Sequence, residues 1–204
     1  IQSLMEGLSK ELANHSNVKV FADNHLNCKK YDQNSSLDIE RISGFKIIRK
    51  FRKANIVNEY LKKNKVKGIF FDHWKSLEHI KLEYLNNYPN FCLIHSKEIN
   101  HPVGSLMNTR MNKAFKKTNH IIANSKYTKE LAQNMGLESK KIRIIHPGTN
   151  YPIKIGNEEE LKAKEIFGSA FPKIITVARL DKRKNHQNIL MTIKNLVPTY
   201  PDIK

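Results

Sequence analysis

Cysteine is scarce in this chain of 204 residues, which contains only Cys28 and Cys92. Neither belongs to a Cys-x-x-Cys pair or a Cys/His cluster, so the sequence argues against a disulfide framework and a structural zinc site. The nine histidines are scattered, and none belongs to a His-Glu-x-x-His pattern. We therefore expect a protein of a reducing compartment with no metal centre built on these residues.

Acidic residues are also few: 19 Asp and Glu stand against 36 Lys and Arg, giving a formal charge of +17 at pH 7. Such a charge favours a nucleic acid or an anionic membrane surface as partner. However, the excess is carried mainly by dispersed lysines, alongside abundant Asn and Ile, all favoured by AT-rich codons. We find no compact Arg/Lys block interleaved with aromatic residues, as a nucleic-acid-binding face requires. Codon bias is the stronger explanation, with attraction to an anionic membrane as a secondary benefit and no nucleic-acid partner.

Long apolar runs are absent as well, since none approaches the length that spans a bilayer. No signal peptide is recognisable. We expect a cytoplasmic protein, with peripheral contact at the inner face of the membrane as a further role of its charge. The chain begins at Ile1, already within a helical pattern, and ends at Lys204, so we also expect a fragment of a longer protein.

Helix and strand patterns alternate along the chain, which predicts an α/β fold with a parallel sheet. The predicted helices cover residues 1–15, 49–64, 77–85, 103–115, 126–135 and 157–167, and the predicted strands cover 18–21, 68–71, 91–94, 120–123, 142–145 and 174–177. Ser125 is placed to cap a helix and Gly136 to end it. The polar segment 23–43 is expected to be a loop or an irregular crossing. The turn-rich residues 146–152 indicate a boundary between domains 1–148 and 149–204.

A β-branched run, a basic loop and a helical pattern follow one another over residues 174–186. The run at 174–177 predicts a buried strand, and the apolar spacing from Asn185 onward predicts a helix. In α/β folds, a loop that joins a strand to a helix N-terminus binds phosphate groups. Arg179 and Lys184 would add a bidentate fork and a mobile point charge. The alternative is a basic surface turn.

This segment resembles the retaining glycosyltransferases of family 4, which have the GT-B fold. There, a strand ending in a hydrophobic residue, Arg and Leu or Ile leads to a Lys, usually followed by Gly. Arg179 and Lys184 occupy these places with the expected five-residue step. The resemblance implies that they hold the diphosphate of a nucleotide-sugar donor. Asn185 replaces the usual Gly, a mild change because Asn tolerates the left-handed backbone better than most residues.

Residues 121–148 resemble the same family through a strand ending near Ser125, a helix, Gly136, and a second strand leading to Gly148. The usual Val-Asp after that last glycine is Thr-Asn here. The resemblance implies two Rossmann-like domains with parallel sheets. The N-terminal acceptor domain would be nearly complete, lacking its first strand, and the C-terminal donor domain would be truncated.

His95 follows the predicted strand 91–94, at the edge where α/β domains place ligand groups. Family members often have a histidine there, so the resemblance implies that His95 is a catalytic residue in the interdomain cleft. Glu98 and His101 are weaker candidates for contacts with the acceptor. The alternative for His95 is a surface-loop residue without a catalytic role. Asp72, His73 and Trp74 also follow a predicted strand at a ligand-facing edge, but the signal is weak, and a lone Trp on a loop more often packs than binds.

The resemblance implies transfer of a hexose from a nucleotide-diphosphate sugar to a glycan or lipid-linked acceptor, with retention, in cell-envelope polysaccharide biosynthesis. The cations would neutralise the leaving diphosphate. GT-B enzymes generally do this without a metal, in agreement with the missing Asp-x-Asp, and we expect no cofactor. The family's Glu-x₇-Glu motif would lie beyond Lys204, so we expect the chain alone to be inactive.

Two alternatives remain open. Another Rossmann-type nucleotide-sugar enzyme would show the same alternation, although Gly-x-Gly-x-x-Gly and a suitably placed Tyr-x-x-x-Lys are missing. A basic nucleic-acid-binding module would show steeply salt-dependent binding to DNA or RNA.

Overall fold

The structure is a computed structural model that describes residues 2–148 and 155–204. The chain divides into two compact units, residues 1–148 and 149–204. Part of the predicted turn at 146–152 lies outside the described residues.

The first unit alternates helices and strands, as the sequence predicts. In chain order its elements are α1 Gln2–Ala13, β1 Lys19–Asp23, α2 Cys28–Gln33, β2 Asp38–Ile42, α3 Lys46–Lys63, β3 Ile69–Phe71, α4 Trp74–Leu77, α5 Leu82–Asn87, β4 Asn90–Ile94, α6 Ser96–Ile99, α7 Leu106–Lys116, β5 His120–Ala123, α8 Lys126–Asn134 and β6 Ile142–Ile144. Strands β1 and β2 form a two-stranded sheet, and β3, β4, β5 and β6 form a four-stranded sheet in that order. Every pairing is parallel.

The core of this unit forms around the four-stranded sheet. Ile121 and Ile142 face each other in register on β5 and β6, and both are buried. Trp74 and Leu77 of α4 are fully buried in the same cluster. Burial of an aliphatic side chain of this kind contributes about 1.5–3 kcal/mol. Even the single turn of α4 is therefore held in place by packing.

Both predicted ends of α8 are confirmed. The hydroxyl of Ser125 accepts a hydrogen bond from the backbone N–H of Thr128, as an N-cap residue does. Gly136 follows the helix with φ +90°, a conformation that favours glycine. This helix begins directly beyond β5, so its N-terminus lies at the carboxyl edge of the sheet.

The prediction of a loop over residues 23–43 is wrong, because this segment contains α2 and β2. Strand β2 pairs along its whole length with β1, and its sequence Asp-Ile-Glu-Arg-Ile is too polar to indicate a strand by itself. An ion pair of 2.6 Å between Arg41 and Asp32 fastens α2 to β2.

The single helix predicted over residues 77–85 is also wrong, since two short helices, α4 and α5, occupy this stretch. The buried Asn58 of α3 explains the break. Its side chain accepts a hydrogen bond from Lys81 N (3.1 Å) and donates to His79 O (3.4 Å). These tertiary bonds compete with helical hydrogen bonding between the two turns.

The second unit contains α9 Asn157–Phe167, a 3-10 turn Lys182–Lys184 and α10 His186–Leu196. Helix α9 has its predicted bounds. The predicted buried strand at 174–177 is wrong within the described part of this unit: the segment has no regular secondary structure, and Val177 is 90% exposed. A strand needs a hydrogen-bonded neighbour. At the start of this segment, a short stretch is hydrogen-bonded to Lys204: Ile174 N donates to Lys204 O, and Lys204 N donates to Pro172 O.

Candidate functional site

Polar side chains gather in the first unit where three neighbouring strands end. Asp72 and His73 follow β3, His95 follows β4, and Asn124 follows β5. The strands are parallel and in register, with Phe71 opposite Cys92 and Ile94 opposite Ala123, so these residues share one sheet edge. We call this group the histidine cluster: Asp72, His73, His95, Glu98, His101 and Asn124.

His95 is held by hydrogen bonds from two directions. Its backbone N–H donates to the Glu98 carboxylate, one turn further into α6. Its ring Nδ1 lies 3.4 Å from the side-chain nitrogen of Asn124. The Asn124 oxygen accepts a hydrogen bond of 2.6 Å from the Thr128 hydroxyl, so the amide nitrogen faces His95. Nδ1 is therefore the acceptor, and Nε2 carries the ring proton.

The Nε2 atom of His95 is buried and has no hydrogen-bond partner among the described residues. Burial also lowers the pKa of His95, which keeps the ring neutral at neutral pH. Buried polar atoms are nearly always paired in folded proteins. A neutral N–H donor that lacks a partner is suited to hydrogen-bond an oxygen of a bound sugar or acceptor.

Glu98 and His101 belong to the same cluster. The Nε2 atom of His101, like that of His95, is buried without a hydrogen-bond partner among the described residues. The Glu98 carboxylate caps its own helix through His95 N, and burial raises its pKa. The His101 ring stands edge-on to Trp74, with centroids 6.3 Å apart. Trp74 is a packing residue, as predicted, and its indole N–H donates to Glu98 O at 3.0 Å. Contact of Glu98 or His101 with an acceptor stays a prediction.

His73 forms the N-cap of α4. Its Nδ1 accepts a hydrogen bond of 3.0 Å from Lys75 N. Burial lowers its pKa from the ordinary 6.5 to about 4. Asp72 beside it accepts from the Ser76 hydroxyl at 2.7 Å. His73 is thus a second neutral imidazole at this edge.

Sequence reasoning missed Asn124 as the partner of His95, and Thr128 as the residue that orients Asn124. The signal was present, since Asn124 directly precedes the recognised helix cap Ser125 at the end of β5. What the sequence does not reveal is that β4 and β5 are adjacent, which brings Asn124 to the ring of His95.

In the second unit, residues 179–185 form a short basic loop that is closed by its own hydrogen bonds. The Asp181 carboxylate accepts from Arg183 N at 3.0 Å and pairs with the Arg183 guanidinium at 3.1 Å. Arg183 lowers the pKa of Asp181 to about 2. Lys184 N donates to Asp181 O, and the His186 ring bonds Arg179 O at 2.9 Å. The Arg183 side chain is therefore already paired with Asp181 inside the loop.

Arg179 and Lys184 make no ion pair within the described ranges, and Lys184 directly precedes the helix entrance. Asn185 has φ 55° and ψ 39°, the left-handed conformation that the sequence comparison with glycine suggested. Helix α10 follows over eleven residues. Its first N–H groups and dipole favour an anion. The loop thus offers three cations without an ion pair among the described residues, Arg179, Lys182 and Lys184, beside a helix N-terminus, which suits a phosphate group.

Residues 2–148 and 155–204 contain no group of three or more His, Cys, Asp or Glu side chains arranged to hold a metal ion. Over the same ranges, no helix combines the length and apolarity needed to cross a membrane.

Comparison with known proteins places this geometry in a wider context. Residues 2–151 match the family model described as Glycosyltransferase Family 4. Five chains of solved structures match the fold. One is HepE of Anabaena, whose crystal structure is in complex with UDP. It shares 10% identity with this chain at a TM-score of 0.59, over 91% of this chain and 68% of HepE. At that identity the likeness bears on fold alone. No curated protein matches the sequence.

Proposed function

The chain belongs to glycosyltransferase family 4 and has the parallel α/β architecture of GT-B enzymes; from this we propose that it transfers a hexose from a nucleotide-diphosphate sugar to a glycan or lipid-linked acceptor, with retention at the anomeric carbon. Its family membership makes it a glycosyltransferase and sets aside the alternative of another Rossmann-type nucleotide-sugar enzyme. The observation that carries the donor class is the basic loop, in which Arg179 and Lys184 are unengaged before α10.

In this proposal Arg179 and Lys184 bind the donor diphosphate. Cleavage of the glycosidic bond leaves a nucleoside diphosphate, on which negative charge grows in the transition state. Cations that are already positioned at the diphosphate oxygens therefore stabilise the transition state more than the ground state. Arg183 carries the same charge but pairs with Asp181. We therefore assign diphosphate binding to Arg179 and Lys184 rather than to Arg183. The UDP in HepE supports a nucleotide ligand for this fold.

His95 supplies the second part of the proposed mechanism. As a neutral Nε2–H donor it hydrogen-bonds an oxygen of the donor sugar or of the attacking acceptor, and Asn124 keeps that proton on Nε2. Glu98 and His101 contact the acceptor beside it. The acceptor would then bind residues 1–148 and the donor residues 149–204.

We further propose that transfer needs no metal ion, because Arg179, Lys184 and the α10 dipole supply the positive charge that a metal would otherwise provide. The reaction would serve cell-envelope polysaccharide synthesis in the cytoplasm, at the inner face of the membrane. A lipid-linked acceptor would bring the enzyme to that surface.

The test is release of nucleoside diphosphate by the full-length enzyme from a panel of UDP- and GDP-hexoses, with and without a chelator and with membrane lipid extract as the source of acceptor. Turnover that survives chelation, with a product of unchanged anomeric configuration by NMR, would support the proposal. Failure to bind or turn over every donor, together with steeply salt-dependent RNA binding, would overturn it in favour of a nucleic-acid-binding module.

A further inference from the structure

The start of α3 exposes large apolar side chains to solvent. Phe45, just before the helix, is 85% exposed, and Ile47 and Ile48 in its first turn are 73% and 63% exposed. Further along the same helix Ala54 and Leu61 are buried in the core. A surface helix normally turns its apolar side chains inward, so the first turn of α3 presents apolar area that the fold does not use.

The same turns are strongly basic. Residues 44–53 contain five Lys or Arg, and residues 42–58 contain no Asp or Glu. Arg49 and Lys53 share Asp23, at 3.1 and 2.8 Å, which ties the helix to β1. Lys46, Lys50 and Arg52, by contrast, have no carboxylate partner in the described part of the chain.

The expectation that no Lys/Arg block is interleaved with aromatic residues is therefore wrong for this segment. The Lys50 ammonium lies 4.6 Å from the centre of the Phe51 ring, and Phe51 is itself exposed. This group of basic and aromatic residues is hard to recognise in the sequence, because α3 as a whole shows the regular apolar spacing of a helix that faces the core. We define the basic apolar face as Phe45, Ile47, Ile48 and Phe51 with Lys46, Lys50 and Arg52.

A cavity of about 620 Å³ adjoins this face where β1 and β2 end. It is lined by residues 24–30, Ser43, Gly44 and Arg49, and no carboxylate lies among them. Lys29 and Lys30 in its wall are exposed, as is Leu26. The cavity thus continues the pattern of the face, cations beside exposed apolar carbon.

We propose that the basic apolar face docks this protein on an anionic phospholipid leaflet. Phe45, Ile47 and Ile48 enter the boundary between headgroups and acyl chains, while the cations lie against lipid phosphates. Docking by these residues does not depend on sugar transfer.

Two other occupants fit less well. Phe45 and Phe51 could stack on bases, but the exposed Ile47 and Ile48 beside them could not, and a nucleic-acid-binding surface would gain nothing from them. A second copy of the chain would bring its own uncompensated cations against these, which is repulsive at close range. An anionic leaflet satisfies the apolar and the charged side chains together.

The test is co-sedimentation of the full chain with vesicles of phosphatidylglycerol and phosphatidylcholine, compared with phosphatidylcholine alone. We expect binding only to the anionic vesicles, weakening as salt is added. Lys46→Ala with Lys50→Ala should lower partitioning about fivefold for each cation removed. The triple variant Phe45→Ser, Ile47→Gln and Ile48→Gln, which changes only exposed positions, should lower it at least as much.

Matched controls lie on the same unit. Lys62→Ala with Lys63→Ala removes the same charge from the exposed far end of α3 and should leave partitioning within about twofold. Leu82→Gln with Leu106→Gln removes exposed apolar area elsewhere and should do likewise. Thermal unfolding of every variant checks that the fold is intact.

Equal loss in the face variants and the controls would overturn the proposal, as would equal binding to neutral vesicles by the wild type. Loss of RNA binding with unchanged vesicle binding would assign the face to nucleic acid instead. UDP binding by the face variants should match the wild type. A chain that binds vesicles but no nucleotide would contradict the proposed function alone, and the reverse result would contradict the docking proposal alone.

Discussion

The two units differ in how far they are packed. In the part of the chain that the structure describes, every buried apolar side chain lies in the first unit, between Cys28 and Ile142. The second unit leaves Ile175, Val177 and Leu180 exposed. Each strand predicted in the first unit pairs with a parallel neighbour. The β-branched run at 174–177 has no such neighbour among the described residues. An apolar run predicts a strand only where another strand is available to pair with it.

The contrast extends to the two candidate sites. His95 is held by Glu98 and Asn124 in a half-buried setting, where burial shifts its pKa. Arg179 and Lys184 are exposed on a loop whose closing hydrogen bonds do not use their side chains. We therefore expect substitutions around His95 to act through position and protonation, and substitutions in the basic loop to act through charge.

The difference in packing can be measured with the same substitution in both units. Leu77→Ala, at a fully buried position, should lower the free energy of unfolding by about 2–5 kcal/mol. Leu180→Ala, at a position that is 93% exposed, should change it by less than about 0.5 kcal/mol. Urea unfolding of the full chain measures both. Similar losses would mean that the second unit buries Leu180 in solution.

In the full-length enzyme, His95→Ala should lower kcat about a hundredfold, the effect of removing one donor from a reacting centre. Donor affinity should change little, because the ring does not contact the diphosphate in this account. Steady-state kinetics at varied donor concentration separates the effect on kcat from the effect on donor affinity. His15→Ala, which changes an exposed histidine, is the control. Wild-type turnover in His95→Ala would leave that residue as a loop histidine without a catalytic role.

Asn124→Ala should have a smaller effect, about tenfold on kcat, since it removes the group that positions the ring rather than the ring itself. Asn124→Asp sharpens the test, because a carboxylate beside Nδ1 stabilises the imidazolium and raises the pKa of His95. The acidic limb of the pH–kcat profile should then move to higher pH. A purely structural role for Asn124 would leave that limb in place.

A pH dependence of stability should come from His73. Its pKa is about 4 in the fold and about 6.5 when unfolded. Between these values the unfolded chain binds the extra proton, so the free energy of unfolding should fall as pH falls from about 6.5 to about 4. His73→Asn retains the helix cap but not the titration, and should flatten this slope. The exposed His146→Asn should not.

Much of the first unit could be predicted from sequence. The apolar pattern located β3, β4 and β5 to within a residue, and Ser125 and Gly136 marked the ends of α8, because these signals are local. Strand β2 and the break between α4 and α5 could not be found in this way. The first depends on pairing with β1, and the second on hydrogen bonds from Asn58.

The candidate site shows the same division. His95 and the pair Arg179 and Lys184 were recognisable from short patterns. The residues that hydrogen-bond or pair beside them, and so set their chemistry, were not recognisable from the sequence. Asn124 reaches His95 only through the adjacency of β4 and β5, and the Asp181–Arg183 pair that withdraws one cation from the loop is visible only in three dimensions.

We propose that Arg179 and Lys184 bind a nucleoside diphosphate, and calorimetric titration with UDP measures this binding. Lys182→Ala is the matched control, because Lys182 is a neighbouring exposed lysine of the same loop. We predict that Arg179→Ala and Lys184→Ala each weaken UDP binding about ten- to a hundredfold, as expected for loss of a charge-assisted contact, while Lys182→Ala binds within about threefold of the wild type. Equal affinity in all four proteins would reduce the loop to a basic surface turn and contradict the account.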